Sequence, residues 1–222
     1  MLGNVLILET STEAGSVAIA REGALVAEIA FASRLATTGA RTEALAPAVV
    51  ACLSNAGIST RDLSAVVCGA GPGGFTSLRA AAALGKGICS ALGLPLFGVS
   101  SLELLGLSAD VPEGPFIVAA HAGRNEWFAA DAARTSDGGT TVDAWFLVGD
   151  DDLRAHAVRS GARLVGPGLD CDIAPCAGAV IAALTRIEAR GPVDLDAWEP
   201  AYGRLAEAQV KWEAAHGRPL TA

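Results

Sequence analysis

Apolar residues along the chain fall into short runs punctuated by glycine, proline and serine, with two longer stretches at helical spacing. Val5–Glu9 (VLILE) reads as a buried strand, followed by a turn through Thr10–Gly15 and a second strand, Ser16–Ala20. Arg21-Glu22-Gly23 connects tightly into a third, Ala24–Phe31. Connections this short imply antiparallel neighbours. Over 41–56, Leu45, Val49, Cys52 and Leu53 recur at helical spacing. Pro47 must either kink that helix or fall in its first turn, and Gly57 stands where a glycine ends a helix. A strand at Ala65–Ala70, the bend GPGGFTS, a helix over 76–92, a strand at Pro95–Ser100 and a short helix from Ser101 to Leu107 complete the first half.

The second half repeats the order of elements, not the sequence. Pro115–His121, Glu126–Ala133 and Thr141–Val148 predict three antiparallel strands, Asp150–Ser160 a helix, Ala162–Gly166 a strand and Ala174–Arg190 a helix. Two successive βββαβα units are the plan of an α/β, actin/hexokinase-like (ribonuclease-H-like) fold with mixed sheets, whose ligands lie between the halves. The expected lobes are 1–107 and 108–222, with a C-terminal helix that crosses back.

Composition narrows the function. The 222 residues carry 16 Lys and Arg against 24 Asp and Glu, a net charge of −8. A protein that grips nucleic acid by itself presents a basic stripe to the phosphates; none is evident here, so any role in nucleic-acid chemistry is expected to pass through a basic partner. No window approaches the roughly 18 uncharged apolar residues of a membrane span, and the start MLGNVLILETSTEAG does not read as a signal peptide. The five cysteines (Cys52, Cys68, Cys89, Cys171, Cys176) are odd in number and form no CxxC pair, which points to a reducing, cytoplasmic setting.

Candidate chemistry centres on Cys68–Arg79, with four glycines in the six residues 69–74. A Walker A loop fails, because no Gly-Lys-Ser/Thr ends the run. The dinucleotide fingerprint is met formally by Gly69, Gly71 and Gly74, but the next strand ends Gly98-Val99-Ser100 without the acidic residue it requires. A ligand-free strand-to-helix turn fits equally well. Glu9 reads either as a carboxylate that holds a metal or orients water, or as a strand-end acid, solvated or accepting from the Ser11 or Thr12 N–H. The second is preferred, because no other carboxylate is placed nearby. His121, His156 and His216 are scattered, the last two on predicted helices where they are expected to be solvated. No nucleophile elbow or Cys–His pairing appears, and Cys68 and Cys89 read as core residues.

The helix over 76–92 carries Ala80, Ala81, Ala83, Gly85 and Gly87, with Ala81/Gly85 and Ala83/Gly87 one turn apart. Small residues at this spacing suit close approach of another helix or of the chain's own sheet. Both readings stand, on opposite faces. Trp198–Arg204 is either a docking element or a strap over the core.

GPGGFTSLRAAAALGKGI resembles the GPGSFTGLR segment of the bacterial TsaB (YeaZ) family. VLILETSTEAGSVAI is similar to that family's first hairpin, GVSSLELL to its following strand and helix start, and Glu199–Arg204 to its C-terminal Pro-x-Tyr-x-Arg element. Glu9, Ala70, Gly74, Ser77 and His121–Arg124 depart from the family's usual residues. The resemblance implies a non-catalytic scaffold or activator subunit of the machinery that makes threonylcarbamoyladenosine in tRNA. It implies a TsaD-like catalytic partner and a TsaE-like ATPase, with self-association in isolation left open. The sister catalytic family has two histidines four apart on its first helix, where this chain has Arg41 and Leu45, so no metal site is expected. The expected partner interface comprises Arg41, Leu45, Gly73, Gly74, Phe75, Thr76, Leu78, Arg79, Ala81 and Gly85. Glu9, Gly71 and Gly73 are candidate nucleotide contacts, with no cofactor held by the chain alone and ATP or ADP left open at the interface of the complex. The alternative is a stand-alone actin-like phosphotransferase or ATPase.

Overall fold

The computed structural model describes residues 2–32, 44–136, 139–203 and 216–217. The first half forms β1 (Asn4–Glu9), β2 (Ala14–Arg21), β3 (Ala24–Ala32), α1 (Leu45–Asn55), β4 (Leu63–Gly69), α2 (Phe75–Leu92), β5 (Leu96–Val99) and α3 (Ser101–Ser108). The sheet order is β3-β2-β1-β4-β5, with β1–β3 antiparallel and β4 and β5 parallel to β1. This is the ribonuclease-H-like arrangement expected. Pro47 lies in the first turn of α1, where its missing N–H costs no intrahelical bond. Gly57 ends α1 at φ +67°, with Gly57 N–H bonded to Ser54 O and Ile58 N–H to Leu53 O, a Schellman closure.

The second half forms β6 (Gly114–Gly123), β7 (Glu126–Arg134), β8 (Thr140–Val142), β9 (Phe146–Gly149), α4 (Asp150–Ser160) and β10 (Arg163–Val165). Its sheet runs β10-β6-β7-β8, with β9 also on β7. The strand expected over 141–148 is thus two pieces. Val142 pairs with Ala132 and Phe146 with Ala129, so residues 143–145 oppose only 130–131. That extra residue is a bulge.

The helix expected over 174–190 is also corrected. Ala177–Ala183 is a 3-10 helix and α5 covers only Leu184–Arg190. The buried positions Ala177, Val180 and Ala183 recur every three residues, which suits the 3-10 period and not the α period. Tight seating on β2 and β3 explains it. Ser16 Oγ accepts from Ala177 N–H, Glu28 accepts from Gly178 N–H, and Leu25 and Glu28 crowd the face of Gly178.

α1 and α2 pack on one face of the first sheet, through Leu6, Leu8, Val17, Ile19, Val66 and Leu96. The 3-10 helix, α5 and Leu104 of α3 pack on the other, through Val5, Ile7, Ala18, Val67 and Phe97. Leu102 and Leu105 of α3 face the second sheet at Phe116, Val118 and Phe128, so α3 is buried between the sheets. α4 covers the far face of the second sheet with Leu153 and Ala157. Among the described residues no helix is long and apolar enough to cross a membrane.

Candidate functional site

β1 delivers Glu9 to the carboxyl edge of the first sheet, beside Gly69 at the end of β4. Glycine is required there, because a Cβ would collide with the Glu9 carboxylate. Glu9 is fully buried. Its Oε1 accepts from Ser11 N–H at 2.6 Å and its Oε2 from the Ser101 hydroxyl at 3.0 Å. Burial pushes the carboxyl above its ordinary range, opposed by the hydrogen bonds from Ser11, Ser101 and Thr10. The expected bond to Ser11 N–H is present, but solvation is not: Glu9 is an internal tie between the first turn and the start of α3. Among the described residues no three or more His, Cys, Asp or Glu side chains converge as metal ligands.

The glycine bend is engaged by the chain itself. Gly71 N–H donates to Ser101 Oγ at 3.2 Å, Gly71 O accepts from Ser101 N–H at 2.9 Å, and Gly74 N–H donates to Ser11 O at 2.7 Å. A Cβ on Gly73 would lie 2.6 Å from Ser11 Cβ, and Gly71, at φ +77°, faces the Ala201 carbonyl. The Gly71–Pro72 peptide is cis. A phosphate loop presents free amides to its anion; here the amides of Gly71 and Gly74 are bonded internally. The Arg79 guanidinium lies 5.3 Å above the Phe75 ring. Of the candidate nucleotide contacts, Glu9 and Gly71 are thus engaged within the chain and Gly73 is buried against Ser11.

α2 sorts the other expected residues by face. Leu78, Ala81, Ala82, Gly85 and Cys89 are buried against the sheet, with Leu96, Val66 and Leu8 ranged opposite Gly85. Leu78, Ala81, Gly85 and also Gly73 are thus interior positions, and their assignment to a partner interface is corrected. The turns of the helix that carry them point inward because glycine and alanine let it lie close to β1, β4 and β5. The opposite face, Thr76, Arg79, Ala80, Ala83, Gly87 and Ser90, is exposed, as is Gly74 at the helix start. Phe75 is half-buried under Tyr202, with ring centroids 4.7 Å apart.

α1 adds to this surface. Its eleven residues, LAPAVVACLSN, include no charged side chain. Ala48, Val49, Cys52 and Leu53 face the core, and Leu45 packs half-buried beside them. Ala46, Pro47, Val50 and Ala51 face outward, Val50 with 68% of its surface exposed. Arg41 lies outside the described residues, as does Arg204 of the C-terminal motif. Beside α2, an open apolar groove is lined by Thr60, Ala83, Leu84, Gly87, Ile88 and Leu92. Surface helices ordinarily carry a charged outer face; apart from Arg79, the exposed positions of these two are uncharged and mostly small or apolar.

The histidines do not converge. His156 is paired rather than simply solvated: its Nε2 lies 2.8 Å from Asp131 Oδ1, with Phe146 edge-on. His121 is exposed and stacks on Trp127 at 4.8 Å. Two groupings were not read from the sequence. Glu103 on α3 is nearly buried and ion-paired with Arg186 at 2.5 Å and Arg190 at 3.2 Å. Cys176 donates its thiol to Glu28 at 2.9 Å. Only the C-terminal aromatics carried a signal, as one of two open readings; Trp198 and Tyr202 lie across the glycine bend and β5.

The model of the family described as TsaD, tRNA N6-adenosine threonylcarbamoyltransferase, matches residues 36–170. An uncharacterised Mycobacterium tuberculosis protein is 40% identical over 106 residues, 47% of this chain and 49% of that one. The Escherichia coli tRNA threonylcarbamoyladenosine biosynthesis protein TsaB is 32% identical over 105 residues, 47% of this chain and 43% of TsaB. The chain thus spans about half the length of the curated relatives it matches. The solved structure of YeaZ from Pseudomonas aeruginosa superposes with a TM-score of 0.73 at 25% identity, over 90% of this chain and 100% of YeaZ.

Proposed function

Since this chain belongs to the tRNA N6-adenosine threonylcarbamoyltransferase family, in its TsaB (YeaZ) branch, we propose that it is a non-catalytic subunit of the machinery that makes threonylcarbamoyladenosine in tRNA. Its partner in this reading is a TsaD-like catalytic subunit, which supplies the metal, the transfer chemistry and the contacts with tRNA. A TsaE-like ATPase joins the pair. The two halves, 1–107 and 108–222, act as the two lobes of one scaffold in the cytoplasm, with the segment from 177 onward crossing back onto the first lobe.

One observation carries the reading: α1 and α2 lie on one face of the first sheet and turn an almost uncharged surface of small residues to solvent, with Val50 its most exposed apolar side chain. Such a surface suits a pair of helices from another chain, approaching closely over Ala80, Ala83 and Gly87 and burying Val50. The stand-alone ATPase gains nothing from the site, whose glycine-bend amides at Gly71 and Gly74 are bonded internally.

The test is co-purification and calorimetry with the TsaD-like protein of the same organism. Val50→Lys and Ala83→Glu are each expected to weaken the complex at least ~30-fold, the scale of an interface hot spot, because each buries a charge without a partner. Both sites are exposed, so the melting temperature of the isolated chain should stay put. Unchanged affinity in both variants, or magnesium-dependent nucleotide turnover by the chain alone, overturns the proposal.

A further inference from the structure

In open α/β sheets, ligands are bound outside the carboxyl ends of the parallel strands. In the first sheet that edge is formed by Glu9 of β1, Gly69 of β4 and Val99 of β5. It is not open. Glu9, Thr10, Ser11, Gly69, Pro72 and Gly73 are all buried.

The cover is the chain's own continuation beyond α5. Val193 N–H donates to Leu96 O at 2.8 Å along the free side of β5, and Asp194 Oδ1 accepts from Asp196 and Ala197 N–H to turn the chain. The Trp198 indole then lies against Gly98, and its main-chain carbonyl accepts from Lys86 Nζ at 2.8 Å. Pro200 is buried, and Ala201 N–H donates to Ala70 O at 2.7 Å with its carbonyl against Gly71. Tyr202 stacks on Phe75, and Gly203, at φ +71°, lies against the Phe128 ring of the second sheet. Glycine is needed at both ends of this path. At Gly71 a side chain would meet the strap, and at Gly203 it would meet Phe128.

We propose that Trp198–Gly203 is an internal strap that occupies the ligand cleft of the fold, covering the glycine bend at Ala70 and Gly71 and tying the first sheet to the second. The inference is independent of the partner assignment. The strap is tied to the sheets by ring contacts, the Lys86 bond to the Trp198 carbonyl and the Ala201–Ala70 backbone bond rather than by a continuous ladder, so it opens more readily than the sheet beneath it.

Hydrogen exchange on the full-length chain tests this. In Trp198→Ala/Tyr202→Ala the amides of Ala201, Gly71 and Gly74, each hydrogen-bonded within the chain, are expected to exchange at least about tenfold faster than in the wild type, while those of β1 keep their protection. Unchanged exchange at Ala201 and Gly71 overturns the proposal. Should the double variant lose protection throughout β1, Lys86→Met, which removes only the bond to the Trp198 carbonyl, is read in the same way: faster exchange at Ala201 supports the strap and no change overturns it. Equilibrium dialysis of the wild type against Mg-ATP is expected to show no saturable uptake at millimolar nucleotide. Saturable uptake with protection of Gly73–Thr76 overturns the proposal.

Discussion

Glu9 is where a single side chain and its surroundings disagree most. Its position at a strand end suggests solvent, yet it is fully buried, held by Ser11 N–H and the Ser101 hydroxyl. Burial raises its pKa above the ordinary 4.5, against those hydrogen bonds. A carboxyl that binds its proton more tightly in the folded chain stabilises the fold most at low pH, and that contribution is lost as pH rises through the folded value. Glu9→Gln cannot ionise and keeps an oxygen for Ser11 N–H. The wild type should therefore become progressively less stable relative to Glu9→Gln as pH rises above about 4.5. Urea unfolding of both proteins across pH checks this, and a difference that stays level contradicts it. Nothing around Glu9 in the chain order announced its burial; Ser101, its second partner, lies 92 residues away.

At the scale of elements, α2 shows how far periodicity reaches. Its boundaries and its small-residue pattern were legible, but both Ala81/Gly85 and Ala83/Gly87 satisfy the same spacing. Only their neighbours decide that the first pair meets the sheet and the second meets solvent. The 3-10 helix Ala177–Ala183 teaches the converse. Its apolar composition predicted an α-helix, and anchorage at Ser16 and Glu28 tightened it. The same anchorage affects Cys176, whose thiol is pushed up to about 11 by burial and by the Glu28 carboxylate. Glu28→Gln removes that charge, so alkylation of Cys176 by iodoacetamide at pH 8 should speed up several-fold, following the larger thiolate fraction. Mass spectrometry, with Cys171 as internal reference, measures it; an unchanged rate leaves burial as the sole cause.

For the whole molecule, the sheets are joined through α3 and through what crosses it. Glu103, in the first turn of α3, is 90% shielded and pairs with Arg186 and Arg190 of α5, which remain about half exposed. Glu103→Ala leaves two cations that water can still reach, so the expected cost is about 1–2 kcal/mol, below that of a fully buried pair. In a chain of this size that corresponds to a melting temperature lower by roughly 3–6 °C, read by calorimetry. Arg186→Ala should cost less, since Arg190 still reaches the carboxylate. Equal losses would mean that the second ion pair contributes nothing.

The chain order by itself determined the identity and succession of nearly all elements, the turn at Gly57 and the ribonuclease-H-like plan. Each depends on residues within a few positions of one another, where side-chain period and backbone stereochemistry act directly. Tertiary structure decided the bulge at 143–145, which face of α2 is free, the seating of 177–190 on the first sheet and the route of Trp198–Gly203 over the glycine bend. Those outcomes rest on contacts between residues that are distant along the chain, such as Ala201 with Ala70 and Gly203 with Phe128, and no local pattern encodes which of several apolar or glycine-rich surfaces will meet.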